Sequence, residues 1–110
     1  MKEDAGSAYL VVLVTTSSSE EANRTARELL EQRKAACVNI VPGINSHYWW
    51  QGKVESAQEN LLIIKTKAAQ LDAVVALVKQ VHGYSVPEVI ALPIVGGNRD
   101  YLEWVGREVD

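Results

Sequence analysis

The alternation of apolar and amphipathic segments predicts an α+β fold of the ferredoxin-like type, an antiparallel sheet with helices on one face. The segments follow the order strand, helix, strand, strand, helix, strand, helix, and two strand–helix–strand halves (βαββαβ) followed by a C-terminal helix make this sandwich. The chain has 110 residues, 47% of them apolar, which suits one domain with a sizeable core. We therefore expect a single domain over residues 1–110, with a loose segment at 1–7.

The first strand and the first helix are predicted from the segment between residues 9 and 33. Tyr9–Thr15 is a continuous run of branched apolar residues, which is typical of a strand covered on both faces. Ser17-Ser-Ser-Glu-Glu21 contains two overlapping capping boxes, and such a box starts a helix. The apolar spacing extends this helix to about Arg33.

The middle of the chain is predicted to form two strands joined by a hairpin. The second strand begins near Ala36, and the third runs from Val54 to about Thr66. Leu61–Ile64 has no polar alternation, so it should be central and covered. The polar residues at 55–60, which include Glu59 and Asn60, are typical of a solvated or edge strand instead.

The last third of the chain is predicted to contain two helices and a short strand. Apolar residues at helical spacing predict a helix over Ala68–Val81, ended by a C-terminal cap at Gly83. Pro87–Pro93 predicts a short fourth strand, and the turn Gly96-Gly-Asn98 leads into a helix from Arg99 to about Arg107.

The predicted hairpin is longer than the body that carries it. Cys37 to Trp50 spans fourteen residues, about 46 Å as one strand, whereas a compact chain of this length is roughly 34 Å across. Pro42-Gly43 should interrupt the strand, so that an outer half with exposed aromatic residues projects. Pairing with the sheet edge of another subunit would cover it; a monomer whose hairpin curls over its own open face is the alternative.

The composition excludes several classes of protein. The net charge is −3 and lysine and arginine do not cluster, which argues against binding a nucleic-acid backbone. The single cysteine, Cys37, allows no intramolecular disulfide and fits a reducing compartment. No apolar run approaches the length of a membrane span, and no convincing signal peptide is present. We therefore expect a cytoplasmic protein without membrane contact.

The ordered set of residues closely resembles the CutA divalent-cation-tolerance family from about Tyr9 to Trp104. The residues that carry the resemblance are Ala35-Ala36-Cys37-Val38-Asn39, Pro42-Gly43, Ser46, Tyr48-Trp49-Trp50, Gly52-Lys53, Glu59, Leu62, Lys65-Thr66, His82, Tyr84, Pro87-Glu88, Leu92-Pro93, Gly97 and Tyr101-Leu102-Glu103-Trp104. The resemblance implies a highly stable cytoplasmic homotrimer locked by hairpin arms. It also implies likeness to trimeric nitrogen-signalling regulators, which bind small ligands in clefts between subunits.

The resemblance also implies a role in tolerance of copper and other divalent metals. In metal-binding relatives the ligands are a cysteine that ends the first strand and two adjacent histidines after the second helix. Here these positions hold Val14, Val81 and His82, so two of the three ligands are absent. His82 and the lone Cys37 remain as candidate metal ligands, although a single cysteine at the start of a buried strand is more often a small apolar residue.

A second group of candidate residues could hold a small anionic ligand in a cleft between subunits. His82, Tyr84 and Glu88 lie on one short loop, where imidazole and carboxylate would also suit a divalent ion; alternatively, they only cap, pack and pair. Lys65 interrupts an apolar strand, so it needs Glu59, Glu88 or an anionic ligand as its partner.

The aromatic pair at the hairpin tip and the remaining histidine complete the candidates. Trp49 and Trp50 point to opposite faces of a strand, so one can pack into a neighbouring subunit while the other shields a cleft or faces water. Trp50 is a candidate ligand-binding residue, and its replacement by aspartate is expected to dissociate the assembly or prevent folding. His47 is given no role. No nucleophile elbow, Walker loop or Ser-His-Asp arrangement is present, so we expect no catalysis. Metal homeostasis, a ligand-responsive signalling scaffold and a plain anchoring trimer remain the three alternatives.

Overall fold

The computed structural model describes residues 8–84 and 86–110, so the expectation of a loose segment at 1–7 lies outside the described residues. Its elements are β1 (Tyr9–Thr16), α1 (Ser19–Glu31), β2 (Cys37–Trp50), β3 (Lys53–Lys67), α2 (Leu71–Val81), β4 (Val89–Pro93) and α3 (Arg99–Glu108). A single 3-10 turn, Ala68–Gln70, precedes α2. This order confirms the predicted α+β succession.

The four strands form one antiparallel sheet in the order β2-β3-β1-β4. β1 lies between β3 and β4, and Val12 is paired with Ile64 on one side and with Ala91 on the other. The two strands nearest in sequence, β2 and β3, therefore lie at one side of the sheet and β4 closes the other. This is the predicted ferredoxin-like topology, which brings the ends of β1, the middle of β3 and the start of β4 together.

One face of the sheet is covered by α1 and α2. Every second residue of β1 and β3 points to this face, including Val12, Val14 and Ile64, and these side chains are completely buried. They pack with Leu29 of α1 and Val78 of α2 in one apolar cluster. Burial of this face against the helices supplies the core of the subunit.

The opposite face, called the open face below, is apolar but only half covered by this chain. Its paired residues alternate with the core residues along the same strands. Its apolar members are Val11, Leu13, Val41, Leu61, Ile63, Ile90 and Leu92. β1 was expected to be covered on both faces, whereas within one subunit only the helix side is fully buried.

The long hairpin is one continuous ladder with a bulge where the interruption was predicted. The pairing of β2 with β3 shifts between Val41 and Ile44, and Gly43 has φ +70°, a conformation that glycine adopts without strain. At the tip, Gln51 and Gly52 both have positive φ, as a two-residue type I′ turn requires. The hairpin lengthens the subunit to 42 Å along its longest axis.

Helix α1 begins after Ser18, one of the two predicted N-caps, although the Glu21 carboxylate accepts from the residue before the cap and not from the cap itself. The Ser18 hydroxyl accepts from the Glu21 amide at 3.1 Å, and the Glu21 carboxylate accepts from the Ser17 amide at 3.2 Å. Helix α2 ends at Val81 as predicted, but the predicted glycine cap was wrong. The capping residue is His82 in extended backbone, and Gly83 is absent from the glycines with positive φ.

Two polar residues predicted as solvated are buried. Glu59 and Asn60 are 8% and 7% exposed, because β3 is an interior strand at this point and Asn60 is paired with Thr16 of β1. The edge of the sheet is β2 and not β3. The fourth strand also begins later than predicted, at Val89, so Pro87 and Glu88 belong to the loop that precedes it.

Candidate functional site

An open cleft lies between the outer half of the hairpin and the loop that joins α2 to β4. Its volume is about 950 Å³, within the range of small-molecule sites. The described residues that line it are Thr15, Asn45, Ser46, His47, Tyr48, Trp49, Trp50, Glu59, Gly83, Tyr84, Val86, Pro87 and Glu88. Three predicted ligand-binding residues, Trp50, Tyr84 and Glu88, are thus brought together, and Lys65 is not.

The centre of this cleft is a hydrogen-bonded pair of Tyr84 and Glu59. The Tyr84 hydroxyl donates to Glu59 Oε2 at 2.7 Å. Burial, this hydrogen bond and the charge of Glu59 all raise the pKa of Tyr84 above its ordinary value. The phenol therefore stays protonated and holds one carboxylate oxygen of the buried Glu59.

His82 lies beneath Tyr84 and has both ring nitrogens engaged. Its Nε2 donates to the Thr15 carbonyl at 2.5 Å, and its Nδ1 accepts from the Tyr84 amide at 3.0 Å. These partners indicate a neutral ring with its proton on Nε2. The ring is 9% exposed and packs against Tyr84 with centroids 4.6 Å apart. In this geometry His82 positions Tyr84 and has no lone pair left for a metal ion.

Glu21 fixes the loop from the other side. Its Oε2 accepts from the Gly83 amide at 2.7 Å, while Oε1 accepts from Ser17. A Cβ at position 83 would lie 3.0 Å from Oε2, so glycine at this position allows the close approach. Sequence reasoning assigned Glu21 only to the capping box, since a contact across 62 residues leaves no local pattern.

The charged lining of the cleft favours a cation. Glu59 and Glu88 are its carboxylates, and no lysine or arginine occurs among the described lining residues. A small anionic ligand would meet unfavourable charge here. Glu59 was missed as a site residue because the polar residues 55–60 were interpreted as solvated. Glu59 lies two residues before Leu61 and therefore on the same face of β3, and this spacing could have indicated that it faces the apolar surface.

Cys37 and Lys65 lie together at the other end of the open face. They are paired in register across β2 and β3. The Lys65 ammonium donates to the Asn39 side-chain oxygen, and the Cys37 thiol lies 3.8 Å from the same oxygen. Burial raises the pKa of Tyr101, and the charge of Cys37 and a hydrogen bond with Cys37 raise it further.

The expectation that Lys65 pairs with Glu59 or Glu88 was wrong. Lys65 and Glu59 are six residues apart on β3, a distance of about 20 Å along the strand.

The two predicted metal ligands are therefore far apart. His82 contacts Thr15, whose partner on β3 is Leu61, whereas Cys37 is paired with Lys65, about 13 Å farther along that strand. Within residues 8–84 and 86–110, no group of three or more histidine, cysteine, aspartate or glutamate side chains could hold a metal ion. Val14 is fully buried and Val81 packs against the core. The two positions that hold metal ligands in metal-binding relatives are therefore occupied by apolar packing residues here.

Comparison with known proteins identifies the family. A family model described as CutA1 divalent ion tolerance protein matches residues 10–108. The chain belongs to this family. It is 52% identical over 95 residues to the divalent-cation tolerance protein CutA of Thermus thermophilus, covering 86% of this chain and 92% of that protein. The predicted family is confirmed.

A plant relative agrees in sequence and in structure. The chain is 56% identical over 96 residues to the protein named CutA 1, chloroplastic, of Oryza sativa subsp. japonica, covering 87% of this chain and 54% of that protein. It thus spans about half the length of the rice relative. The crystal structure of CutA1 from Oryza sativa matches with a TM-score of 0.92 at 52% identity, covering 94% of this chain and 95% of that chain.

The family is described by ion tolerance and not by a reaction. For the described helices, none is both long and apolar enough to cross a lipid bilayer.

Proposed function

We propose that this CutA-family chain acts in divalent-cation tolerance as a cytoplasmic homotrimer, held together by the open face and the hairpin, and that it is not an enzyme. The half-exposed apolar open face is the observation that carries the proposal. Ile90 and Leu92 are 52% and 51% exposed, and they continue a surface formed by all four strands. A contiguous apolar surface of this kind marks an interface.

The hairpin supports the same assembly. Trp49 and Trp50 are 74% and 47% exposed at its tip, and Val54 opposite Trp49 is 61% exposed. An isolated two-stranded ribbon is only marginally stable, so a neighbouring subunit that covers these rings would stabilise the arm. Added burial in three such contacts accounts for the expected high stability of the assembly.

A copper-like divalent ion is proposed to bind in the cleft, at the Glu59 and Glu88 carboxylates. His47 also lines the cleft, but it lies on the face of β2 opposite to Tyr48, and its Nδ1 is 2.8 Å from the Ser56 hydroxyl. In the proposed trimer a neighbouring subunit completes the ligand set. His82 serves this site by orienting Tyr84, and Cys37 belongs to a separate cluster.

Light scattering with and without one equivalent of copper per chain tests the assembly first. We expect about three chain masses in both samples. If the mass depends on copper, the metal ion takes part in the contact between subunits, and His82 and Cys37 would again be candidates for its ligands. A single-chain mass under both conditions would contradict the trimer.

Copper titration by calorimetry then tests the metal site, with a matched pair of variants. Glu59→Gln should abolish saturable binding, whereas Glu55→Gln should retain one site per chain. Glu55 is an exposed carboxylate four residues earlier on the same strand and outside the cleft lining. Loss in His82→Ala with retention in Glu59→Gln would move the site to the histidine.

A second candidate function is a ligand-responsive scaffold without specific metal binding. A cleft of about 950 Å³ with aromatic walls is much larger than a metal ion needs and resembles a small-molecule site. For an anionic ligand, Lys65 at the other end of the open face is the available cation. Binding of phosphate or a dicarboxylate that is lost in Lys65→Met would support a scaffold that responds to an anion. If neither anion binds to the unaltered protein, an anionic ligand is excluded.

A further inference from the structure

Three of the aromatic side chains that line the cleft share it with buried polar groups. Tyr48, Trp50 and Tyr84 line it, and each is more than a third exposed within one subunit, which leaves ring surface both for a ligand in the cleft and for a neighbouring subunit. Tyr48 and Trp50 lie two residues apart on β2 and point to the same face of the hairpin. That face also carries Glu59, which is paired with Ile44 in the same ladder.

Two polar groups in the cleft lining lack a full set of partners. Glu59 and Thr15 are each 8% exposed. Glu59 Oε2 accepts from Tyr84, but within residues 8–84 and 86–110 its Oε1 has no hydrogen-bond partner, and neither has the Thr15 hydroxyl. Buried polar groups in native proteins are nearly always satisfied. Oxygens left open at a cleft therefore indicate a ligand that supplies donors.

The charge of the cleft specifies the sign of that ligand. A buried carboxylate is costly unless a positive group or several donors stabilise it. Among the described residues, the lining contains no lysine or arginine, and the group that donates a hydrogen bond to Glu59 is a neutral phenol. The missing partner is consequently a cation that comes from outside this subunit.

We propose that the cleft binds a primary alkylammonium ion, the protonated end of an aliphatic amine. An ammonium group has three donors, which Glu59 Oε1 and the Thr15 hydroxyl can accept, and the rings of Tyr48, Trp50 and Tyr84 attract a cation through their faces. The alkyl chain would lie along the same rings. Glu88 provides a second carboxylate in the cleft, so a diamine gains a second ion pair.

This inference rests on the second candidate function, a scaffold that responds to a small ligand. Calorimetry with 1,4-diaminobutane and with butane-1,4-diol tests it, since the diol has the same chain length and no charge. We expect saturable binding of the diamine at one site per chain, weaker binding of butylamine, and no binding of the diol. Quenching or enhancement of tryptophan fluorescence, abolished in Trp50→Leu, should report the same event.

Two variants and one control locate the ammonium. Glu59→Gln should weaken diamine binding at least tenfold, and Thr15→Val, which keeps the shape of the strand residue, should weaken it severalfold. Glu55→Gln should bind as the unaltered protein does. Equal affinity in Glu59→Gln, or equal affinity for the diol, would overturn the proposal.

The solution mass separates failure of this inference from failure of the assembly. No diamine binding by a protein of three chain masses would overturn the amine site and leave the trimer intact. A different result would be that the unaltered protein does not bind the diamine and that Glu59→Gln no longer forms a trimer. The cation that pairs with Glu59 would then be a basic side chain of a second copy, which also overturns the proposal. Copper that displaces the diamine would support a shared cleft.

Discussion

The two faces of the sheet are built from the same residue types and differ in what covers them. On the helix face, Val12 and Ile64 are fully buried beneath α1 and α2. On the open face, Ile90 and Leu92 are half exposed, although they come from the same sheet. An apolar strand pattern therefore predicts that both faces become covered, but it does not say whether the second cover comes from the same chain or from another one.

The largest effect is expected from a cavity on the helix face. Ile64→Ala should lower the free energy of unfolding by roughly 2–5 kcal/mol, because the site is fully buried and the surrounding side chains relax only in part. Urea titration at several protein concentrations measures it.

Ile63→Ala is the matched control, since Ile63 is the next residue, points to the open face and is half buried. Its cost should grow with protein concentration, as expected of a contact between subunits. An equal, concentration-independent cost for both variants would mean that the two faces do not differ in this way.

A charge on the open face should act on assembly more than on folding. Leu92→Glu places a carboxylate on an apolar surface that is half exposed in the single chain, so the subunit should fold while association becomes unfavourable. Light scattering should then give one chain mass, with an unchanged circular dichroism spectrum. Val95→Glu, at a residue 98% exposed in the loop after β4, should keep the mass of the unaltered protein.

The hairpin tip allows the same comparison between two adjacent tryptophans. Trp50→Asp should dissociate the assembly or prevent folding, because Trp50 lines the cleft face of the arm and, as proposed, anchors it to a neighbour. Trp49 points to the opposite face and is 74% exposed, so Trp49→Asp should have the smaller effect. A trimer of unchanged mass and melting temperature in Trp50→Asp would contradict the anchoring role.

The fold could be predicted from the sequence because its elements carry local signals. Branched apolar runs, a capping box and the Gln51-Gly52 turn each constrain a few neighbouring residues. The cleft could be predicted only in part, because Glu59 is held in it by a contact distant in the sequence, the hydrogen bond from Tyr84. Contacts of this range, like that of Glu21 with Gly83, leave no periodic pattern.

The smallest predicted effect concerns two tyrosines at opposite ends of the open face. Burial and Glu59 raise the pKa of Tyr84, and burial and Cys37 raise the pKa of Tyr101. Because the folded protein holds these protons more tightly than the unfolded chain, their contribution to stability is complete below about pH 10, the ordinary tyrosine pKa. It is lost as the pH rises further, since the unfolded chain ionises first.

Tyr84→Phe should therefore show a shallower decline in the free energy of unfolding above about pH 10 than the unaltered protein. Urea titrations at a series of pH values between neutral and strongly alkaline measure the two slopes. Tyr101→Phe should flatten the decline by its own share, and Tyr48→Phe serves as the control, because Tyr48 lines the same cleft without the hydrogen bond to Glu59. Equal slopes for Tyr84→Phe and the unaltered protein would show that the phenol does not retain its proton through Glu59, and the cation proposed for that carboxylate would then have to be present before any ligand is added.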